Sequence, residues 1–233
     1  MPAIPHHNSA LRSAERHHSK EHRISPSTTF ALIRHGQTDW NAARRLQGST
    51  DIPLNDIGRN QAGQAVPALS QFDWDFVVSS PLIRAAETAD VIAADLNLDV
   101  IRRIPGLVER DYGPTEGMLE GAELDSLRIP GGYYGAESEP EVAARGLDAL
   151  HALSQDYPGA RIIVVTHGTL IRVTLTEALG LDVGSIDNAT LNLVRHHRNT
   201  GFVLQVLNGT SHHAKPSPSS HSDNLKGHKS WQL

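Results

Sequence analysis

The 233-residue chain contains no cysteine. Disulfide bonds, thiolate metal sites and a cysteine nucleophile are therefore all excluded. The sequence also lacks any apolar stretch approaching the ~18 residues that a membrane-spanning helix needs. Hydrophobic residues still make up 39% of the chain, which is enough for the core of one soluble α/β domain. We therefore expect a globular protein with no membrane partner.

The two ends of the chain are poor in apolar residues. Residues 1–27 are rich in His, Ser, Arg and Pro and contain no apolar segment typical of a secretory signal, which predicts a cytoplasmic location. Residues 211–233 have the same polar character, and both ends are expected to be disordered. The predicted folded domain covers residues 28–210. In a cytoplasmic protein the sequons at Asn188 and Asn208 would not be glycosylated.

Positive charge is scarce in the predicted domain. The net charge of the chain is −5, although residues 1–27 hold four basic and two acidic side chains and residues 211–233 hold three and one. The domain between these ends therefore carries a net charge of −9. Duplex binding requires a basic face that neutralises several phosphates, so we expect no nucleic-acid partner. A small anionic ligand would need only local positive charge.

Short β-rich runs alternate with longer segments of helical periodicity, which is typical of βαβ units around a largely parallel sheet. The predicted strands are Phe30–Ile33, Phe76–Ser79, Ile162–Thr166, Leu191–Val194 and Phe202–Leu207. The predicted helices run from an Asn55 N-cap to about Ser70, from a Ser80 N-cap with Pro81 at the first helical position, over Glu139–Gln155 and over Gly168–Leu179. Residues 116–135 lack periodicity and are predicted to form a loop over the ligand site. We interpret His196-His197 as a surface turn.

The tripeptide Arg34-His35-Gly36 directly follows the first predicted strand. Ligands of open α/β sheets bind at the carboxyl ends of the strands. A neutral imidazole can attack phosphorus, and the phosphoramidate that forms is readily hydrolysed. Arg34 supplies a forked cation for phosphoryl oxygens, and Gly36 lets the backbone approach an anion closely. The same tripeptide also occurs as an ordinary turn at the end of a strand. The tripeptide alone therefore does not establish a catalytic role.

Four further segments accompany this tripeptide in a fixed order. The five motifs are RHGQTDWN at Arg34–Asn41, GSTDIPLNDIG at Gly48–Gly58, SSPLIRAAETA at Ser79–Ala89, ERDYGPTEG at Glu109–Gly117 and THG at Thr166–Gly168. With these motifs the chain resembles the histidine phosphatase superfamily, also called phosphoglycerate mutase-like, over about residues 29–210. The resemblance implies a three-layer α/β/α sandwich with a mostly parallel central sheet. It also implies a reaction through a phosphohistidine that needs no metal and no cofactor.

The resemblance assigns His35 as the nucleophile and Glu109 as the proton donor. Arg34, Arg84 and His167 would stabilise charge on the phosphoryl group. Arg84 falls in the first turn of a predicted helix, where free N–H groups and the helix dipole already favour an anion. His167 ends a predicted strand, as His35 does, so the two rings are expected at one edge of the sheet. The resemblance further implies phosphate or substrate contacts for Arg34, Asn41, Gln47, Gly48, Ser49, Arg84 and Gly168.

Two features of the fourth motif leave questions open. Asp111 and Glu116 compete with Glu109 for the role of acid, because the sequence does not show which carboxyl points inward. The family often has an aromatic residue before the Glu-Gly pair, whereas Pro114-Thr115 stands here, and this departure concerns the shape of the substrate. Arg128, Tyr133 and Tyr134 in the predicted loop are candidates to select that substrate.

Histidine clusters offer a competing metal hypothesis. Residues 18–22 spell HSKEH, the H-x-x-E-H pattern of inverted zinc peptidases, which requires a buried helix and a distant third ligand. Three pairs could hold Zn²⁺ or Ni²⁺ adventitiously, namely His6-His7, His17-His18 and His212-His213. All of these histidines lie in the polar ends, so we predict no functional metal site.

The family to which this resemblance points includes phosphatases and phosphoglycerate mutases, which differ in whether water reaches the phosphohistidine. Only 58 positions separate Glu109 from His167, and a predicted helix of about 17 residues occupies part of them. Little chain remains for the covering insertion of a mutase. We therefore predict a phosphatase that acts on a small phosphorylated metabolite. The alternatives are a phosphoglycerate mutase and a non-enzymatic binder of a phosphorylated ligand. The sequence predicts no oligomeric state.

Overall fold

A computed structural model describes residues 26–211. The strands are β1 (Thr28–Arg34), β2 (Phe76–Ser79), β3 (Val100–Arg103), β4 (Arg128–Ile129), β5 (Gly132–Tyr133), β6 (Arg161–Thr166), β7 (Leu191–His197), β8 (Gly201–Leu207) and β9 (Thr210–Ser211). The helices are α1 (Asp39–Ala42), α2 (Asp56–Leu69), α3 (Ile83–Leu96), α4 (Ala122–Ser126), α5 (Glu139–Asp156) and α6 (Gly168–Leu179).

Seven strands form the central sheet in the order β3-β2-β6-β1-β7-β8-β9. The first four are parallel to one another, and β7, β8 and β9 extend the sheet in antiparallel fashion beyond β1. The predicted mostly parallel sheet is confirmed. Because β1, β2 and β6 are adjacent and parallel, their carboxyl ends meet at one edge, which is where the segments carrying His35, Ser80 and His167 leave the sheet.

Helices cover both faces of this sheet, as the alternation of side chains along the strands requires. Phe30 and Leu32 of β1 point into a core shared with α5 and α6. Ala31 and Ile33 point into a second core shared with α2 and α3. All four are at most 2% exposed, and complete burial of a large apolar side chain contributes about 1.5–3 kcal/mol. The three-layer α/β/α sandwich is therefore confirmed.

The start of α3 differs from the prediction. Ser80 was expected as its N-cap, but the chain leaves β2 in an extended turn and the helix begins at Ile83. The cap comes from a distant loop, because the Ile83 N–H donates to Asp51 Oδ1 at 2.7 Å. Ser80 is thereby freed to turn toward β6, where its hydroxyl contacts His167.

The predicted loop over residues 116–135 is wrong in detail. It contains α4 and the β4–β5 hairpin, and its Leu124 and Tyr133 pack with Tyr112 in a small third core. These elements span only two to five residues each, which is too short for a periodic hydrophobic pattern. The segment is therefore a packed cap, not an irregular loop.

The predicted surface turn at His196-His197 is also wrong. Both residues continue β7, and His196 pairs with Thr28 of β1 on one side and with Phe202 of β8 on the other. Partners on both sides extend the strand through a polar stretch that sequence alone assigns to a turn. The helix predictions at α2, α5 and α6 are confirmed to within a residue or two.

Some predictions lie outside the described residues. They are the two disordered ends, the HSKEH pattern and the pairs His6-His7, His17-His18 and His212-His213. Within residues 26–211, no helix combines the length and apolar character needed to cross a membrane. The same range contains no group of three or more histidine or carboxylate side chains arranged to hold a metal ion.

Candidate active site

His35 and His167 follow two neighbouring strands, β1 and β6. Their ring centroids are 5.2 Å apart, and the residues are only 3% and 0% exposed. The expectation that both rings meet at one sheet edge agrees with this placement. Two buried imidazoles at the carboxyl ends of parallel strands form the floor of the site.

The ring of His35 has a defined proton arrangement. Nδ1 lies 2.7 Å from the carbonyl oxygen of Gly36, which can only accept, so Nδ1 carries the proton. Burial lowers the pKa of His35 well below its ordinary value, and the charges of Arg84 and Arg34 lower it further. The ring is therefore neutral near pH 7, and its lone pair lies on Nε2.

Arg84 contacts that nitrogen from the first turn of α3. Its Nε donates to His35 Nε2 at 3.2 Å, while its two terminal nitrogens donate to the carbonyl oxygens of Thr50 at 2.9 Å and Gly48 at 2.6 Å. The residue is completely buried, and burial lowers the pKa of its guanidinium to about 10. It remains a cation at neutral pH, located beside the His35 ring.

Arg34 lies on the opposite side, against the beginning of α6. One terminal nitrogen donates to the carbonyl oxygen of Ile186 at 2.8 Å, but the buried Nε has no partner. Burial lowers the pKa of this guanidinium, and the nearby Glu109 carboxylate partly offsets the effect. Gly168 packs against it, since a Cβ there would lie 3.1 Å from Arg34 Nε. A side chain at position 168 would crowd the cation.

His167 has one satisfied and one free ring nitrogen. Its Nε2 lies 2.8 Å from Ser80 Oγ, and Ser80 Oγ accepts from the Leu82 N–H at 3.2 Å. The hydroxyl can thus donate to Nε2, which places the ring proton on Nδ1. Nδ1 is buried without a partner. Burial, followed by the charge of Arg84, lowers the pKa of His167 well below its ordinary value.

Glu109 is the carboxyl that reaches the site. It is 6% exposed, and its two oxygens accept the backbone N–H groups of Arg110 at 2.8 Å, Thr169 at 3.1 Å and Leu170 at 3.1 Å. Two of these donors belong to the first turn of α6, where a negative group is favoured. Glu109 is thereby held beside His167 and Arg34.

The other two carboxyls of the motif point elsewhere. Asp111 is exposed and accepts the Gly113 N–H at 2.7 Å. Glu116 binds the segment that contains Ser49 and Thr50. Burial alone would raise the pKa of Glu116, but hydrogen bonds from Thr50 and Ser49 outweigh it and the pKa is lowered. Glu109 therefore remains as the candidate acid.

The predicted contacts at Asn41, Gln47, Gly48 and Ser49 divide into two groups. Gln47 Oε1 accepts from Thr38 Oγ1 at 2.8 Å and from Asn41 Nδ2 at 3.1 Å, which leaves the buried Gln47 Nε2 unpartnered. Asn41 and Gln47 line the cleft described next. Gly48 and Ser49 instead belong to the segment whose carbonyl oxygens accept hydrogen bonds from Arg84.

An open cleft of about 370 Å³ lies next to the histidine pair, since Arg34 and Gly168, the chain neighbours of His35 and His167, belong to its lining. Its other lining residues include Gln47, Glu109, Arg45, Glu120, Thr169, Arg172 and Ile186. Tyr112 also lines it, with its hydroxyl 2.7 Å from Thr169 Oγ1. Burial and the Glu109 charge raise the pKa of Tyr112 to about 12, so the phenol is neutral.

The predicted substrate-selecting residues do not line this cleft. Tyr133 is buried beneath Arg128, whose guanidinium carbon is 5.2 Å from the ring centroid, and Tyr134 is 81% exposed. The fold of the cap turns all three away from the opening. Tyr112 and Arg172 occupy the wall instead, and their positions are set by packing that the sequence does not reveal.

Asn188 is a site residue that sequence reasoning missed. Its Nδ2 donates to the carbonyl oxygen of His35 at 2.7 Å, and the next residue, Ala189, donates its N–H to the carbonyl oxygen of Arg34 at 2.9 Å. Ala189 has φ +53°, a left-handed conformation that the surroundings impose. The only sequence signal was a sequon, and 153 positions separate this loop from His35.

Comparison with known proteins agrees with this geometry. The family model for the histidine phosphatase superfamily (branch 1) matches residues 30–210. A protein described as uncharacterized phosphatase PhoE from Bacillus subtilis is 40% identical over 66% of this chain and 79% of its own length. A metal-independent phosphoserine phosphatase from Arabidopsis thaliana is 35% identical over 81% of this chain and 84% of its own. The chain belongs to the histidine phosphatase superfamily.

Solved structures show the same relationship. A mycobacterial glucosyl-3-phosphoglycerate phosphatase, solved with VO3, superimposes with a TM-score of 0.69 at 29% identity, covering 78% of this chain and 99% of that protein. Relatives in the same range of sequence identity also carry the name probable phosphoglycerate mutase. The fold and the enzyme family, which contains phosphatases and mutases, are thus established.

Proposed function

We propose that this protein is a metal-independent phosphatase that hydrolyses a small phosphomonoester through a phosphohistidine at His35. Nε2 of the neutral ring attacks phosphorus and the P–O bond to the leaving group breaks. Glu109, which must enter this step in its protonated form, delivers that proton to the departing oxygen and is left as a carboxylate. In the second step Glu109 takes a proton from water, water attacks phosphorus, and the P–N bond breaks to release inorganic phosphate.

One observation carries this proposal: most of the buried polar atoms that lack partners belong to residues of the candidate active site. Five buried side-chain nitrogen or oxygen atoms in residues 26–211 lack a hydrogen-bond partner. Three of them are Arg34 Nε, His167 Nδ1 and Gln47 Nε2, all in the site. An unpaired buried polar group costs about 1–3 kcal/mol, so this concentration indicates a place built for a ligand with several acceptors. A phosphoryl group supplies those acceptor oxygens.

The charges support transfer of a phosphoryl group in particular. In its transition state negative charge lies on three equatorial oxygens, and catalysis depends on positioning and on electrostatic stabilisation. Arg34 and Arg84 approach His35 from two sides and remain cationic. They also favour the neutral form of His35, because a positive charge on the ring would lie beside two other cations.

The test is release of phosphate from small phosphomonoesters by the purified protein with EDTA present. His35→Ala should abolish release, because it removes the attacking nitrogen, while His151→Ala serves as a matched control away from the site. Rapid quenching with ³²P-labelled ester should trap an acid-labile, alkali-stable adduct that His35→Ala does not form. Turnover by His35→Ala equal to that of the unaltered protein would refute the mechanism.

A mutase is the second candidate, because relatives of this chain carry that name. The cleft argues for hydrolysis, since Glu109 lines an opening that water can enter. A coupled assay for interconversion of phosphoglycerates, primed by a bisphosphate, separates the two. A protein that binds phosphoesters in calorimetry yet releases and transfers no phosphate over hours would instead be a non-enzymatic binder.

A further inference from the structure

We propose that Glu116 is a positioning residue, which holds Arg84 against the nucleophile through the backbone of residues 48–50. We call this stretch the 48–50 segment. The proposal deepens the proposed function and rests on it, because it assigns how one phosphate-binding cation is kept in place. Glu116 itself does not line the cleft in the described part of the chain.

The Glu116 carboxylate collects five hydrogen bonds. One oxygen accepts from the Ser49 N–H at 2.7 Å, from Ser49 Oγ at 3.1 Å and from the Tyr112 N–H at 3.2 Å. The other oxygen accepts from the Thr50 N–H at 2.8 Å and from the Thr50 hydroxyl. Four of the five donors belong to the 48–50 segment, so its N–H side is fixed to a single carboxylate.

The carbonyl side of the same segment is fixed to Arg84. Gly48 and Thr50 accept from the two terminal nitrogens of the guanidinium, and the third nitrogen, Nε, is left to contact His35 Nε2. The chain of contacts therefore runs from Glu116 to the segment, from the segment to Arg84, and from Arg84 to the nucleophile. Every guanidinium nitrogen has a partner, so a shift of the segment must move the cation.

Two further contacts show that this arrangement is tight. A Cβ at Gly48 would overlap the Glu116 carboxylate, so only glycine fits between the carboxylate and the Arg110 carbonyl oxygen. Asp51, next to the segment, caps the first turn of α3, one residue before Arg84. The negative charge of Glu116 also opposes the loss of charge that burial imposes on Arg84.

The proposal predicts what happens when the carboxylate is removed. In Glu116→Ala the 48–50 segment loses four hydrogen bonds, and Arg84 is no longer held at His35 Nε2. A misplacement of about 1 Å in a catalytic group can cost on the order of 100-fold in rate. We expect kcat to fall by about 10-fold to 100-fold, with a smaller change for Glu116→Gln, which keeps one acceptor oxygen. Asp156→Ala, which breaks an exposed pair with Arg102 away from the cleft, should leave kcat within about twofold.

A double-mutant cycle distinguishes positioning from general loss of stability. If Glu116 acts through Arg84, then Glu116→Ala should cause little further loss in the Arg84→Ala background. Equal losses of kcat in both backgrounds would overturn the proposal. Thermal melting of each variant accompanies the kinetics, and p-nitrophenyl phosphate serves as the substrate because its good leaving group keeps weak variants measurable.

An NMR titration of the His35 ring supplies a readout independent of turnover. The charged and titratable groups that act on the ring are Arg84, Arg34 and His167. When Arg84 withdraws, one of the two cations that disfavour protonation is lost, so the pKa of His35 should rise in Glu116→Ala. It should not rise further when Glu116→Ala is added to Arg84→Ala. An unchanged His35 titration in Glu116→Ala would overturn the proposal, even if the protein proved to hydrolyse no phosphoester.

Discussion

Two pairs of histidine rings lie near opposite ends of strand β1 in the central sheet. The centroids of His35 and His167 are 5.2 Å apart with an interplanar angle of 61°, and those of His151 and His196 are 5.1 Å apart with an angle of 60°. The first pair follows the carboxyl ends of β1 and β6. The second packs beside the start of β1, where His196 is paired with Thr28. As isolated ring pairs, the two are nearly identical.

Their surroundings differ in charge and burial. Arg34 and Arg84 flank the first pair, and His167 Nδ1 is buried without a partner. The second pair is half-buried and packs against Phe202, 4.5 Å from His196 between ring centroids. A pair of imidazole rings alone therefore does not distinguish the candidate active site. The distinguishing features are the buried cations and the unpaired donors around a neutral ring.

The largest expected effect is the difference in enzymatic activity between variants of the first and of the second histidine pair. His167→Ala removes the unpartnered Nδ1, the donor that the proposed mechanism assigns to the phosphoryl group, and should lower kcat/KM by about 100-fold to 1,000-fold. His196→Ala should leave kcat/KM within about twofold. Steady-state kinetics on one phosphoester measures both. Similar losses in the two variants would show that the surroundings do not distinguish the pairs.

The acid provides the next contrast. Glu109 lies beside the first pair, whereas no carboxylate lines the cavity next to His151 and His196 in the described residues. Glu109→Gln keeps the size of the side chain but cannot deliver a proton. It should slow an alkyl phosphate by about 100-fold or more, and p-nitrophenyl phosphate much less, because that leaving group departs without a proton. Equal slowing of both substrates would argue against a general acid at this position.

The smallest effect concerns stability in acid. Burial lowers the pKa of His167 well below its ordinary value, and that of His196 is lowered too, chiefly by burial. Each ring is harder to protonate in the folded protein than in the unfolded chain, so stability present above about pH 6.5 is lost as the pH falls. At pH 5 the buried His167 ring costs up to about 2 kcal/mol.

The measurement is the melting temperature between pH 7.5 and pH 5. His167→Asn, which removes the titrating ring, should flatten the decline by roughly 4 to 8 °C relative to the unaltered protein. His196→Asn should flatten it less, because its ring is only half-buried. A larger effect at His196 than at His167 would contradict the expectation that the more deeply buried ring contributes more to the loss of stability in acid.

Much of the fold could be predicted because period and caps are local signals. The short apolar runs of β1 and β6, and the Asn55 cap of α2, are signals carried by neighbouring residues alone. The errors fall where partners come from far away. Asp51 replaced Ser80 as the cap of α3, and flanking strands extended β7 through His197.

By itself the sequence determined which residue types follow each strand, and hence that His35, Arg84 and His167 approach one edge of a parallel sheet. Only the tertiary structure decided which of three nearby carboxyls enters the site. It also decided that Tyr112, not Tyr133 or Tyr134, lines the cleft. The reason is physical: the positions of strands and helices along the chain follow from local periodicity, whereas the direction of a side chain in a cap depends on contacts between residues distant in the chain.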